Sequence, residues 1–212
     1  MRVKICGIND PDAFRTAAAA GADLVGFVFF PPSPRAVSPE EAARLSTLAS
    51  GGPERVGLFV DAGDDAVAAV LAAVRLDILQ LHGSETPERV AAIRARFGVR
   101  VMKAVGVATR AEAEAAVARY GLVADLLMFD AKPPPGAPLP GGNAVPIDWT
   151  ILRGLEVPVP WLLAGGLTPG NVAQAIAAAG APGVDVSSGV ERARGVKDPG
   201  LIRAFIAAAR GA

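Results

Sequence analysis

The only cysteine of the chain, Cys6, closes its first apolar run, Met1-Arg2-Val3-Lys4-Ile5-Cys6-Gly7-Ile8. A lone cysteine forms no internal disulfide, and a thiol set where a strand hands over to a loop is well placed to act as a base or nucleophile. A buried free cysteine can equally be a small apolar filler, so its chemistry needs support from elsewhere in the chain. Asp130, which closes the apolar run Leu126-Leu127-Met128-Phe129, is the natural counterpart. Apolar surroundings disfavour the ionised form of a carboxyl and suit it to act as a general acid, although a helix cap or turn is an equally open reading. A thiolate base and a carboxylic acid facing one substrate could take one proton and deliver another.

Further residues could hold that substrate. Phe29-Phe30-Pro31-Pro32-Ser33-Pro34-Arg35 reads as a stiff loop that could present the Arg35 guanidinium fork to a planar carboxylate, against the alternative of a solvated surface arginine. His82, in Gln80-Leu81-His82-Gly83, is the only histidine, which argues against a histidine triad or a multi-histidine metal site. It is expected to line a pocket and orient substrate. Ala164-Gly165-Gly166-Leu167-Thr168-Pro169-Gly170-Asn171 and Val184-Asp185-Val186-Ser187-Ser188-Gly189-Val190-Glu191 both place glycines or small hydroxyl residues directly after an apolar run. Such loops bring backbone N–H groups and hydroxyls close to a phosphate.

These residues recur at the ends of β-rich runs: Val3 to Cys6, Leu24 to Phe29, Arg55 to Val60, Asp77 to Leu81, Arg100 to Val105, Asp125 to Asp130, Pro160 to Ala164 and Gly183 to Ser187. Ala-rich amphipathic stretches separate them: Pro11 to Ala20, Ser38 to Ala49, Asp64 to Val74, Pro87 to Phe97, Arg110 to Tyr120, Thr168 to Ala179 and Asp198 to Ala209. Several open with Asp, Ser or Thr followed by Pro, as a capped helix should. The exception is the gap after the sixth run, where Lys132-Pro133-Pro134-Pro135-Gly136-Ala137-Pro138-Leu139-Pro140-Gly141-Gly142 reads as an extended loop. Eight βα units and no G-x-G-x-x-G after the first strand favour a single-domain α/β fold over residues 1–212, a (β/α)₈ barrel rather than an open doubly wound sheet. Barrel function gathers at the strands' C-terminal ends, so Cys6, Arg35, His82, Asp130, Gly165 and Ser187 belong on one rim.

Composition narrows the class. Lys plus Arg equals Asp plus Glu at 21 each over 212 residues, so there is no global field for nucleic acid or an anionic membrane. A hydrophobic content of 51% suffices for one large core. No long apolar N-terminal stretch and no possible disulfide make a cytoplasmic enzyme the simplest expectation.

Lys4-Ile5-Cys6-Gly7-Ile8, Ser33-Pro34-Arg35, Gln80-Leu81-His82-Gly83, the strand ending at Asp130, Leu163-Ala164-Gly165-Gly166-Leu167 and Val184 to Glu191 together resemble phosphoribosylanthranilate isomerase of tryptophan biosynthesis. The resemblance spans essentially the whole chain. It implies a (β/α)₈ barrel that performs the Amadori rearrangement of N-(5-phosphoribosyl)anthranilate without metal or redox cofactor. By motif, Cys6 would be the general base and Asp130 the general acid. Arg35 would meet the anthranilate carboxylate, and His82, Gly165, Gly166, Asp185, Ser187, Ser188 and Gly189 would complete the substrate-binding set. Asn9 stands where the family usually has threonine, and Gly141-Gly142-Asn143-Ala144 where Gly-Gly-Thr-Gly is usual. Other phosphosugar isomerases or epimerases, and a catalytically silent phosphosugar-binding barrel, remain the alternatives. A phosphorylated small molecule is the expected partner, with weak association to neighbouring pathway enzymes also open.

Overall fold

The computed structural model describes residues 1–49, 51–132 and 147–212. Eight parallel strands close into a barrel in chain order, β1 (Arg2–Cys6), β2 (Leu24–Val28), β3 (Glu54–Phe59), β4 (Ile78–Leu81), β5 (Arg100–Val107), β6 (Leu126–Ala131), β7 (Trp161–Leu163) and β8 (Gly183–Val186). Seven helices are found among the described residues: α1 (Pro11–Ala19), α2 (Pro39–Ser46), α3 (Asp64–Ala73), α4 (Pro87–Phe97), α5 (Arg110–Tyr120), α6 (Val172–Ala179) and α7 (Pro199–Arg210). All eight strands anticipated above are present, displaced by a residue or two at their ends. The proline-rich stretch after Lys132 and the Gly141-Gly142-Asn143-Ala144 departure lie outside the described residues.

Local chemistry explains where the helices begin. Asp10, Ser38, Thr86, Thr109 and Asp198 each accept hydrogen bonds from the first turn of the helix they precede, and Ser38 with Glu41 forms a reciprocal capping box. Helix α6 starts four residues later than the periodicity predicts. Asn171 folds back, accepting the Thr168 N–H through Oδ1 at 2.7 Å and donating from Nδ2 to the Gly166 carbonyl at 2.9 Å. Those bonds turn residues 168–171 into a corner.

Strand alternation builds two cores. Leu127 and Phe129 face the outer helices, while Leu126 and Met128 join Leu24, Val56, Ile78, Met102, Ala104, Leu162 and Ala164 in the buried barrel interior. Beneath that layer Glu54 bridges Arg2 and Arg100, both at 2.6 Å. Above it Cys6, Val28 and Leu58 pack with Phe30 and Val60 at the mouth. A full apolar layer thus separates the mouth that holds Cys6 from the charged floor.

A hairpin that no periodicity announces follows β8: β9 (Glu191–Ala193) pairs antiparallel with β10 (Val196–Lys197). Its turn residue Gly195 has a left-handed backbone, φ +81°, and packs so closely that an added Cβ would lie 2.6 Å from the Pro34 carbonyl oxygen. The hairpin therefore clamps the loop that carries Arg35.

Candidate active site

Cys6 ends β1 buried, two residues along the same strand face from Lys4. Lys4 is wholly buried, and its ammonium meets Asp185 Oδ1 of β8 at 2.7 Å. Gly26 makes space for the thiol, since a Cβ there would stand 2.9 Å from Sγ and 3.3 Å from Lys4 Nζ. Burial pushes the Cys6 thiol up from its ordinary value, and Asp185 adds to that push. Lys4 and Lys197 oppose it by favouring the thiolate. The resting group is therefore the thiol, with two ammonium groups in place to stabilise its anion. Burial also acts against charge on Lys4, but Asp185 and Cys6 outweigh it and its pKa is raised.

Arg35 does not hold its fork open to a ligand, as its loop position suggested. It is buried, and Nε and Nη2 donate to Glu191 Oε1 and Oε2 at 2.6 and 3.0 Å. A buried guanidinium without a carboxylate would be costly, which explains the pairing. Nη1 is left without an acceptor among the described residues. Glu191 also receives the Lys197 ammonium at 2.8 Å and the Gly195 N–H at 3.0 Å. Burial raises the Glu191 carboxyl, yet Arg35 and Lys197 more than compensate and bring it down to about 2. Lys197 is pulled below its ordinary value by burial and held up by Glu191. We take it as charged, because Glu191, the Ser187 carbonyl (2.9 Å) and Ser187 Oγ (3.3 Å) offer three acceptors, matching an ammonium's three donors. Asn9, the departure noted in the sequence, donates to the Gly195 carbonyl at 3.0 Å and so braces the hairpin.

Across the mouth, Asp130 is buried at the end of β6. Its Oδ1 accepts the Ala131 N–H at 2.7 Å and its Oδ2 lies 3.3 Å from His82 Nε2. Gly165, with φ +90°, stands where a Cβ would be 2.6 Å from the Ala131 nitrogen and 3.0 Å from Asp130 Oδ1. This glycine makes room for the carboxylate, a role its sequence context did not suggest. A cleft of about 760 Å³ opens beside His82, lined by Phe30, Val60, Ala104 and Gly106 and running outward to Arg119 and Lys132.

The two glycine- and serine-bearing loops meet each other. A Cβ on Gly189 would fall 1.8 Å from the Leu167 carbonyl oxygen, so only glycine lets the β8 loop close against the β7 loop. Among the described residues the N–H groups of Gly165 and Gly166 have no acceptor. Ser188 opens a short 3₁₀ turn, Ser188–Val190, and Asp185 is spoken for by Lys4. Sequence reasoning did not single out Lys4, whose partner Asp185 comes from the far end of the chain, or Lys197, whose partners Ser187 and Glu191 are brought to it by the hairpin after β8.

Comparison with known proteins identifies the family. The family model described as N-(5'phosphoribosyl)anthranilate (PRA) isomerase matches residues 3–208. The chain belongs to that family. N-(5'-phosphoribosyl)anthranilate isomerase of Paramagnetospirillum magneticum is 60% identical over 211 residues, covering 100% of this chain and 98% of the relative. The enzyme of Rhodospirillum rubrum is 55% identical over 98% of this chain and 97% of its own. The crystal structure of phosphoribosyl anthranilate isomerase from Thermotoga maritima superposes with a TM-score of 0.88 at 38% identity, covering 100% of both chains. A structure of the isomerase in complex with reduced 1-(o-carboxyphenylamino)-1-deoxyribulose 5-phosphate gives 0.86 at 36% identity, again covering 100% of both. The chain is an isomerase of this family.

Proposed function

We propose that Cys6 and Asp130 are the base and acid of the family's reaction, the Amadori rearrangement of N-(5'-phosphoribosyl)anthranilate to 1-(2-carboxyphenylamino)-1-deoxyribulose 5-phosphate in tryptophan biosynthesis. Asp130 gives its proton to the furanose ring oxygen as the bond from that oxygen to C1′ breaks, and the nitrogen lone pair forms the C1′ iminium. Cys6, once its thiol proton has passed to solvent and Lys4 and Lys197 stabilise the thiolate, takes the C2′ proton, and the electron pair left behind forms the C1′–C2′ enamine, which tautomerises to the ketone. The observation that carries this reading is that the two groups end β1 and β6 on one rim, inside unlike environments. Lys4, Lys197 and Arg35 set three cations against the two carboxylates Asp185 and Glu191. The cluster therefore holds one positive charge that a Cys6 thiolate would cancel.

The remaining roles follow from position. The β7 and β8 loops, through Gly166, Ser187, Ser188 and the N–H groups near Gly189, are suited to the phosphate. With its fork occupied, Arg35 would recognise the anthranilate carboxylate through Nη1. The aromatic ring has apolar partners in Phe30 and Val60. Cytoplasmic location, a single domain and the absence of a nucleic-acid partner belong to the same reading, supported by the balanced charge. Among the described residues no helix is long and apolar enough to cross a membrane.

Turnover of N-(5'-phosphoribosyl)anthranilate by the purified chain tests the proposal. A chain that binds the reduced product analogue but forms no product is a silent binding barrel, and the assignment of acid and base fails.

A further inference from the structure

Behind the Asp130–His82 contact lies a third polar side chain, Gln80, which is wholly buried on β4 two residues before His82. Its Nε2 lies 3.2 Å from His82 Nδ1 and 3.6 Å from the Met128 sulfur. The Met128 sulfur can only accept, so it fixes the amide with its nitrogen on this side; rotated by half a turn, the amide would face the sulfur with its oxygen instead. Oε1 finds no partner among the described residues. We propose that Gln80 is a positioning residue for the acid: by donating to His82 Nδ1 it keeps the imidazole proton on Nε2, directed at Asp130 Oδ2.

The choice of tautomer matters because it decides what the acid's proton can do. With the proton on Nε2, Oδ2 faces a donor and Oδ1 already accepts the Ala131 N–H, so a protonated Asp130 must direct its own hydrogen out toward the mouth. Once that proton has gone to substrate, the new carboxylate finds an N–H waiting. In the opposite tautomer Nε2 carries a lone pair that would draw the acid's hydrogen into an Asp–His hydrogen bond, away from the ring oxygen. The 3.3 Å separation is not yet aligned as a hydrogen bond, and it is the contact that would tighten as the carboxylate forms. This inference rests on the reading of Asp130 as the acid.

Because His82 is the only histidine, ¹⁵N-histidine labelling yields a single imidazole whose two nitrogen shifts and couplings report its tautomer. In the wild-type chain, the Nε2–H form of the neutral ring should dominate. Gln80→Leu and the better space-filling Gln80→Met should shift the ring toward a mixture and lower kcat about tenfold or more with little change in KM, and they should alter the limb of the kcat pH profile that reports the acid. In a His82→Gln background the same Gln80 substitutions should cost nothing further. A dominant Nδ1–H form in wild type overturns the proposal, as does an unchanged tautomer in both Gln80 variants. So does a tautomer shift with wild-type kcat, or an undiminished Gln80 effect without His82. If instead Asp130→Asn turns over normally, it is the acid assignment that fails, whatever the imidazole reports.

Discussion

Around Cys6 the polar surroundings are ionic: Lys4 with Asp185, Lys197 with Glu191, and Arg35 closing the cluster. Around Asp130 they are a backbone N–H, an imidazole and a buried amide. The two halves of one rim thus solve opposite problems. A thiol that burial holds protonated becomes useful only if nearby cations stabilise its anion, whereas a carboxyl that must arrive protonated is better served by neutral donors, because an adjacent cation would favour its ionised form. The contrast teaches that the proposed acid and base differ by what the neighbouring strands contribute, β8 and the hairpin beside Cys6, β4 beside Asp130.

Removing either proposed reacting group should have the largest effect. Cys6→Ala and Asp130→Asn should each lower kcat by roughly 10²–10⁴, the range of lost general acid or base catalysis, with smaller changes in KM. Near-wild-type turnover in one variant would remove that half of the comparison.

Glu191 probes the ionic half through stability. Its carboxyl titrates near 4.5 in the unfolded chain and is brought down to about 2 in the fold, so its contribution is present above pH 4.5 and is lost as pH falls toward 2. A displacement of that size corresponds to stabilisation on the order of 3 kcal/mol. Urea unfolding of Glu191→Gln should show a loss of that order at pH 7 and a flatter stability profile between pH 4.5 and 2. A parallel offset at all pH values would mean that the carboxylate's charge is not what holds the cluster.

Arg35→Ala should weaken binding of the carboxylate-bearing product analogue by about 1.5–3 kcal/mol, the scale of a hydrogen bond to a charged group, and Arg35→Lys by less. The informative control is an analogue without the ring carboxylate. Arg35→Ala should bind both analogues almost equally, and a wild-type margin between them would assign carboxylate recognition to another residue.

Gly26→Ala should cost least, about 1–3 kcal/mol of stability, because the added methyl presses on the thiol and on Lys4. Gly63→Ala is the matched control, as an added Cβ there meets nothing within 4 Å. Equal costs at the two positions would show that the space beside Cys6 is not tight.

Period-two alternation, helix caps and strand-end chemistry made the barrel, its eight strands and both proposed reacting groups legible, because each is written in neighbouring residues. Helix α6 was read too long because the Asn171 corner is a side-chain-to-backbone bond that periodicity does not register. The hairpin from Glu191 to Lys197 was missed because Arg192, Arg194 and Gly195 interrupt any alternation, and it exists by packing on Pro34, 157 residues or more earlier in the chain. The types of the proposed reacting groups, Cys6 and Asp130, are thus local information, carried by the apolar runs they close. Whether Arg35 is open or paired, whether Lys4 serves a base or a floor, and which nitrogen of His82 carries its proton were decided only when barrel closure set β1 beside β8 and aligned β4 with β6 across β5, since charge and hydrogen bonding act over a few ångströms of space and not along the chain.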